Sequence, residues 1–154
     1  MQMSSTTNTL IKMAAKGKWD GGIKSSNTIR HFESFKMDEP VKLGGQDTGG
    51  TPLEYIAAAL NGCKAVMIPL IAKEQNFTFS SIDFETDGYV DIRGLLGEEG
   101  VKTYFQKILF SVEIETDESD EALERLKAEV ERRCPVYNLF VDAGISVEVD
   151  WKKK

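Results

Sequence analysis

Apolar positions change their period several times along the chain, and each change marks an element. Leu53, Ile56, Leu60, Cys63, Met67 and Leu70 recur at steps of three and four, which predicts one apolar stripe on a long helix. Thr51 is placed to cap that helix and Pro52 suits its first position. Ala57, Ala58, Ala59 and Gly62 are small, so another backbone can approach closely. Pro69 removes an internal hydrogen bond and predicts a kink about two turns beyond Cys63. Past Asn76 the period falls to two: Tyr104, Ile108, Phe110, Val112 and Ile114 alternate with Lys107, Ser111 and Glu113, as strand residues do. Residues 78–91 and 101–115 are expected to pair across the loop from Arg93 to Gly100. A charged helix follows from about Ser119 to Arg133, turning Leu123, Leu126 and Val130 inward. Its acidic first turn and its last-turn Arg132 and Arg133 match the helix dipole. Pro135 interrupts it, a second helical piece runs to Asp142, and Ile145, Val147, Val149 and Trp151 alternate as a final strand.

Ahead of the long helix, residues 8–18 and 22–37 mix polar and apolar positions around the turn signal Asp20-Gly21-Gly22, predicting an N-terminal hairpin. The run Gly44-Gly45-Gln46-Asp47-Thr48-Gly49-Gly50 is read as a connecting loop. A phosphate-binding reading fails because no Lys-Ser/Thr follows and no clear strand leads into it. The class is α+β, without internal repeats. A chain of 154 residues is expected to form a single domain over 1–154, with residues 1–9 as a frayed tail.

Composition narrows the function classes. With 41% apolar and 29% charged residues the chain reads as globular rather than disordered. A net charge of -6 repels phosphates, and no basic cluster interleaved with aromatics offsets it, so nucleic acid is not an expected partner. Residues 1–9 are polar and lack a signal peptide's apolar stretch. The longest apolar run, Ala65–Ala72, contains Pro69 and falls well short of the ~20 residues that span a bilayer. A cytoplasmic protein is therefore expected, without a membrane partner. In that compartment cysteines stay reduced unless their chemistry is transient or catalytic. Cys63, Cys134 and His31 are too few, and wrongly spaced, for a structural zinc site, so no metal is expected.

Each cysteine carries two readings. Cys63 lies on an apolar helix stripe, where a cysteine is ordinarily a small buried hydrophobe. Cys134 precedes Pro135; if Pro135 opens a helical turn, Cys134 is its N-cap, where backbone N–H groups favour a thiolate, with Arg132 and Arg133 adding positive charge. Otherwise Cys134-Pro135 simply makes the bend between two helical pieces.

The run Gly50-Thr51-Pro52-Leu53-Glu54-Tyr55-Ile56-Ala57-Ala58-Ala59-Leu60-Asn61-Gly62-Cys63 resembles the signature of the OsmC/Ohr family. Asp38-Glu39-Pro40 and Gly44-Gly45 resemble the approach to that helix in the OsmC-like branch. Cys134-Pro135-Val136 resembles the family's second cysteine, and the likeness extends over roughly residues 15–152. The resemblance implies an OsmC-like fold: N-terminal strands, a long central helix bearing Cys63, and a second sheet with a helix and final strand, in an intertwined homodimer. It implies a thiol peroxidase for small organic hydroperoxides that uses no metal or organic cofactor. Cys63 would be the peroxidatic thiolate, oxidised to a sulfenic acid, and Cys134 would condense with it to a disulfide that an external dithiol reduces. Ile56, Leu60, Met67, Tyr137 and Phe140 are candidates to hold an apolar hydroperoxide tail, or simply to pack the core.

The resemblance also implies an arginine and a glutamate beside the thiolate. Arg30 is the arginine of the N-terminal region, within a predicted strand Thr28-Ile29-Arg30-His31-Phe32; Lys24 is a second cation there, without the planar fork of arginine. His31 reads as an ordinary strand residue. The glutamate usually follows the helix-starting proline directly, but here that place holds Leu53 and the carboxylate stands one residue later at Glu54. At about 100° per residue, nine positions turn Glu54 nearly opposite Cys63; its other reading is a first-turn acid that favours the helix dipole. Arg30 and Glu54 are the accessory candidates. Two alternative functions use the same fold: binding of a small apolar ligand at the dimer interface, and a thiol redox sensor with poor turnover.

Overall fold

A computed structural model describes residues 9–154; apart from Thr9, the expected frayed tail lies outside these residues. The chain divides at the start of the long helix into two compact units, one up to Pro52 and one from Leu53.

The first unit holds a three-stranded antiparallel sheet, β1 (Lys16–Trp19), β2 (Ser25–Thr28) and β3 (Phe35–Met37), in that order. The expected hairpin is therefore shorter and has a third strand. Residues 29–34 leave the sheet in a turn, in which the Phe32 amide donates to the Ile29 carbonyl at 3.2 Å. Arg30 takes φ 52° there, a left-handed conformation that strands exclude. The alternation of Thr28-Ile29-Arg30-His31-Phe32 imitates a strand, but the reversal that lets β3 return along β2 falls on it. Arg30 and His31 are thus turn residues.

The glycine run is organised by Asp38. This buried carboxylate accepts from the amides of Glu39 (2.8 Å), Gln46 (3.2 Å) and Thr48 (3.1 Å) and from the Thr48 hydroxyl (2.7 Å). Those bonds, the Thr48 hydroxyl foremost, hold Asp38 down to about 2. The backbone folds so tightly around it that a Cβ on Gly45 would stand 1.8 Å from the Glu39 carbonyl oxygen. Gly45 and Gly49 serve close packing of backbone on backbone.

The second unit is built on α1 (Pro52–Gln75), 24 residues that continue through Pro69. It is followed by β4 (Ser81–Val90), a single turn α2 (Ile92–Leu95), β5 (Phe105–Glu115), α3 (Asp120–Arg133), α4 (Pro135–Asp142) and β6 (Ser146–Lys153). β5 is central: it pairs antiparallel with β4 and parallel with β6. Its alternation buries Ile108, Phe110, Val112 and Ile114 on one face. α3 starts where Ser119 accepts from the Ala122 amide at 3.1 Å, and lays Leu123, Leu126 and Val130 on the same core.

On α1 the buried positions are Leu60, Lys64, Ile68, Ile71 and Ala72, whereas Ile56 and Leu70 are 42% and 46% exposed. The inward face is thus rotated from the expected stripe. The helix is apolar nearly all round, so period alone does not choose the face that meets β5. By length and composition α1 would suffice to cross a bilayer. In this unit its inward residues belong to the packed core instead.

Candidate active site

Cys63 projects from the middle of α1, half-buried against the core, while Cys134 is fully buried between α3 and α4. Local chemistry sets the second position. The Cys134 amide still donates to the Val130 carbonyl at 2.9 Å, closing α3, and Pro135, which has no amide hydrogen, opens α4 at its first position. Asn138 locks the corner by donating to the carbonyls of Glu131, Arg132 and Cys134 at 3.0, 3.2 and 2.8 Å. On the other side, Thr86 of β4 donates to Asn61 of α1 at 2.6 Å. The two thiols, 71 residues apart in the chain, meet with Cys134 Sγ donating to Cys63 Sγ at 2.9 Å. A disulfide needs about 2.05 Å, so bond formation requires a movement of roughly 1 Å. Both cysteines are free.

The N-cap position does not make Cys134 a ready thiolate. Burial, followed by its hydrogen bond to Cys63, pushes it up to about 11; the backbone N–H of Tyr137 and the charge of Lys64 act the other way. Arg132 and Arg133, expected to supply positive charge, are engaged elsewhere: Arg132 with Glu129 at 2.6 Å and Arg133 with Glu74 at 2.6 Å.

The cation beside the thiols is Lys64, which sequence reasoning passed over. It is completely buried, its Nζ 4.4 Å from the centre of the Tyr137 ring and 5.6 Å from that of Phe110. Among the described residues, neither Lys64 Nζ nor the buried Glu131 Oε1 has a hydrogen-bond partner. Burial lowers the Lys64 pKa, and the charges of Cys134, Glu131 and Cys63 oppose that shift. One signal was present in the sequence: Lys64 is the sole charged residue between Glu54 and Lys73.

The accessory candidates are placed differently. Arg30 belongs to the first unit, where its guanidinium lies 4.7 Å over the Phe32 ring, and the His31 ring lies 4.5 Å from that of Phe32. Glu54 is exposed on the first turn of α1, while Leu53 packs on the core; half a turn of helical phase separates Glu54 from Cys63. Of the apolar candidates, Leu60 and Phe140 are buried and Met67 and Tyr137 half-buried in the core cluster. Among the described residues no group of three His, Cys, Asp or Glu side chains gathers to hold a metal ion.

An α+β unit that brings two free thiols together at the middle of a long helix defines a two-cysteine protein. The sequence matches the family of OsmC-like proteins over residues 45–150, and the chain belongs to that family. Its fold is similar to that of an organic hydroperoxide resistance protein from Elizabethkingia anophelis, with a TM-score of 0.76 at 17% identity over 96% of this chain and 99% of that one. An OsmC-like protein from Mycoplasma pneumoniae is similar with a TM-score of 0.75 at 16% identity, covering 94% of this chain and 96% of that one. An organic hydroperoxide resistance protein OsmC from Legionella pneumophila gives 0.72 at 17% identity, over 93% and 98%. Comparison with curated proteins returned no significant match.

Proposed function

We propose that this protein is a thiol peroxidase that reduces organic hydroperoxides through Cys63 and Cys134. The observation that carries the reading is the thiol pair itself, 2.9 Å apart, with one sulfur half-buried and the other wholly buried. The names of the similar structures from Elizabethkingia and Legionella, organic hydroperoxide resistance proteins, support it.

Unequal exposure supports a division of roles. Cys63 is the sulfur a peroxide can reach. Its thiolate attacks the O–O bond and takes one oxygen as a sulfenic acid, while the other oxygen leaves with a proton as the alcohol. Cys134 then attacks the Cys63 sulfur; the S–S bond forms, and the hydroxyl leaves as water with the proton that the Cys134 thiol gives up. An external dithiol exchanges with that disulfide, returning both thiols and itself becoming oxidised. Such recycling suits a reducing compartment such as the cytoplasm. Ile56, Val66 and Leu70 leave an apolar surface on α1, 42%, 65% and 46% exposed, which a second copy of the chain would cover in a homodimer. Arg30 and Glu54 remain accessory candidates, Glu54 by way of that assembly.

Titration of thiols before and after one equivalent of cumene hydroperoxide, with mass spectrometry of the products, tests the reading. Both thiols should be lost to a Cys63–Cys134 disulfide. Cys63→Ser should abolish peroxide consumption, and Cys134→Ser should allow one turnover followed by over-oxidation of Cys63. Two unreacted thiols, or full activity in both variants, would sink the proposal.

A further inference from the structure

By volume, Lys64 is the largest fully buried side chain among the described residues. A methionine would fill nearly the same space without burying a charge, and replacing a buried ion by a well-packed apolar group is often neutral or stabilising. Packing therefore does not account for the ammonium. Its position does: Lys64 follows Cys63 on α1, and its Nζ lies over the ring of Tyr137, three residues beyond Cys134.

We propose that Lys64 is a positioning residue for the thiol pair, its buried ammonium stabilising the negative charge of the sulfur that attacks. The inference rests on the reading of this pair as the reacting centre. The titratable groups that act on the lysine come from the helices around it: Cys63 from α1, Glu131 from α3 and Cys134 at the corner that opens α4, with the Tyr137 ring of α4 beneath the ammonium. From β5 it meets the Phe110 ring. Glu131, with a buried oxygen that has no hydrogen-bond partner among the described residues, helps the lysine stay charged where burial alone would discharge it. In the ionisation the thiol proton passes to solvent. Lys64 neither gains nor loses a proton and forms no bond to sulfur. Because the two thiols share a hydrogen bond, the charge acts on the pair.

The test is the pH profile of iodoacetamide alkylation at Cys63, followed by peptide mass spectrometry on the reduced full chain. In Lys64→Met the lower midpoint should rise by about 1–3 units, the range an adjacent opposite charge supplies. Thermal stability should be unchanged or raised. Lys64→Arg, which retains the charge, should keep the wild-type midpoint, and Lys64→Gln provides a second neutral variant should the methionine variant fold poorly. An unmoved midpoint in a folded neutral variant overturns the inference. Alkylation needs no peroxide, so the two ideas fail separately. A shifted midpoint in a protein that does not consume cumene hydroperoxide keeps the role of Lys64 and removes the peroxidase. Turnover with an unmoved midpoint does the reverse.

Discussion

Closing the Cys63–Cys134 bond should stabilise the protein by an amount the chain itself sets. The cysteines are 71 residues apart, and cross-linking a loop of that length removes enough denatured-state entropy to contribute about 4 kcal/mol at 25 °C. Strain in the folded state would subtract from this. The sulfurs already stand 2.9 Å apart, so the folded backbone needs little adjustment and most of the stabilisation should survive. With a urea m-value of about 2 kcal/mol/M, typical for a chain of this size, the oxidised protein should unfold at a midpoint about 2 M above the reduced one. The assay is urea denaturation followed by circular dichroism, with and without dithiothreitol. Cys134→Ser should show no response to the reductant. A midpoint that is equal in the two redox states, or lower when oxidised, would refute the reasoning: the pair would then require a backbone displacement that the thiol geometry does not reveal.

Two further outcomes follow from burial and charge. Leu126→Ala removes a side chain with no solvent exposure from the α3–β5 core, and chemical denaturation should register a loss of about 2–5 kcal/mol. Asp38→Asn keeps an acceptor but discards the charge that four hydrogen bonds address. The native carboxylate titrates at about 2 against an ordinary 3.8, so its stabilising effect is complete above the ordinary value and fades as pH falls through the lower one. Amide exchange at Gln46 and Thr48 should thus be faster in the variant above pH 4, with the difference shrinking toward pH 2; an undiminished difference at pH 2 would contradict the assignment.

The elements of the second unit were legible because each has one dominant period. Alternation from Ile108 to Ile114 marked a strand, and Pro135 marked the α3–α4 corner that carries Cys134. Thr51-Pro52 foretold where α1 begins. What was not legible has a physical cause in each case. α1 is apolar on nearly every side, so a stripe through Ile56 and Leu70 reads as well as the true one through Lys64 and Ile68. A lysine in such a helix looks like a solvent marker, and nothing local says that it turns inward beneath Tyr137. The turn at Arg30 was hidden because β-favouring residues continue across a reversal that only pairing between β2 and β3 reveals. The pull of burial on Cys134, stronger than its helix-cap position, depends on neighbours from α1 that lie far away in sequence.

The parallel pairing of β5 with β6 has a consequence for how the protein comes into being. β4 and β5 form an antiparallel neighbour pair joined by a short excursion, a local contact that can form early. A parallel partner cannot arrive by a hairpin; β6 can dock only after the chain from Thr116 to Ile145 has crossed over, and closing so long a connection is slow. Cys134 rides in that crossover. The thiols therefore come together late, once α3 and α4 have settled on the sheet, and an incompletely folded chain holds two distant, unassisted cysteines. Oxidation to the intramolecular disulfide is in this sense a certificate of completed folding, and trapping the bond during refolding would time the final assembly of the core.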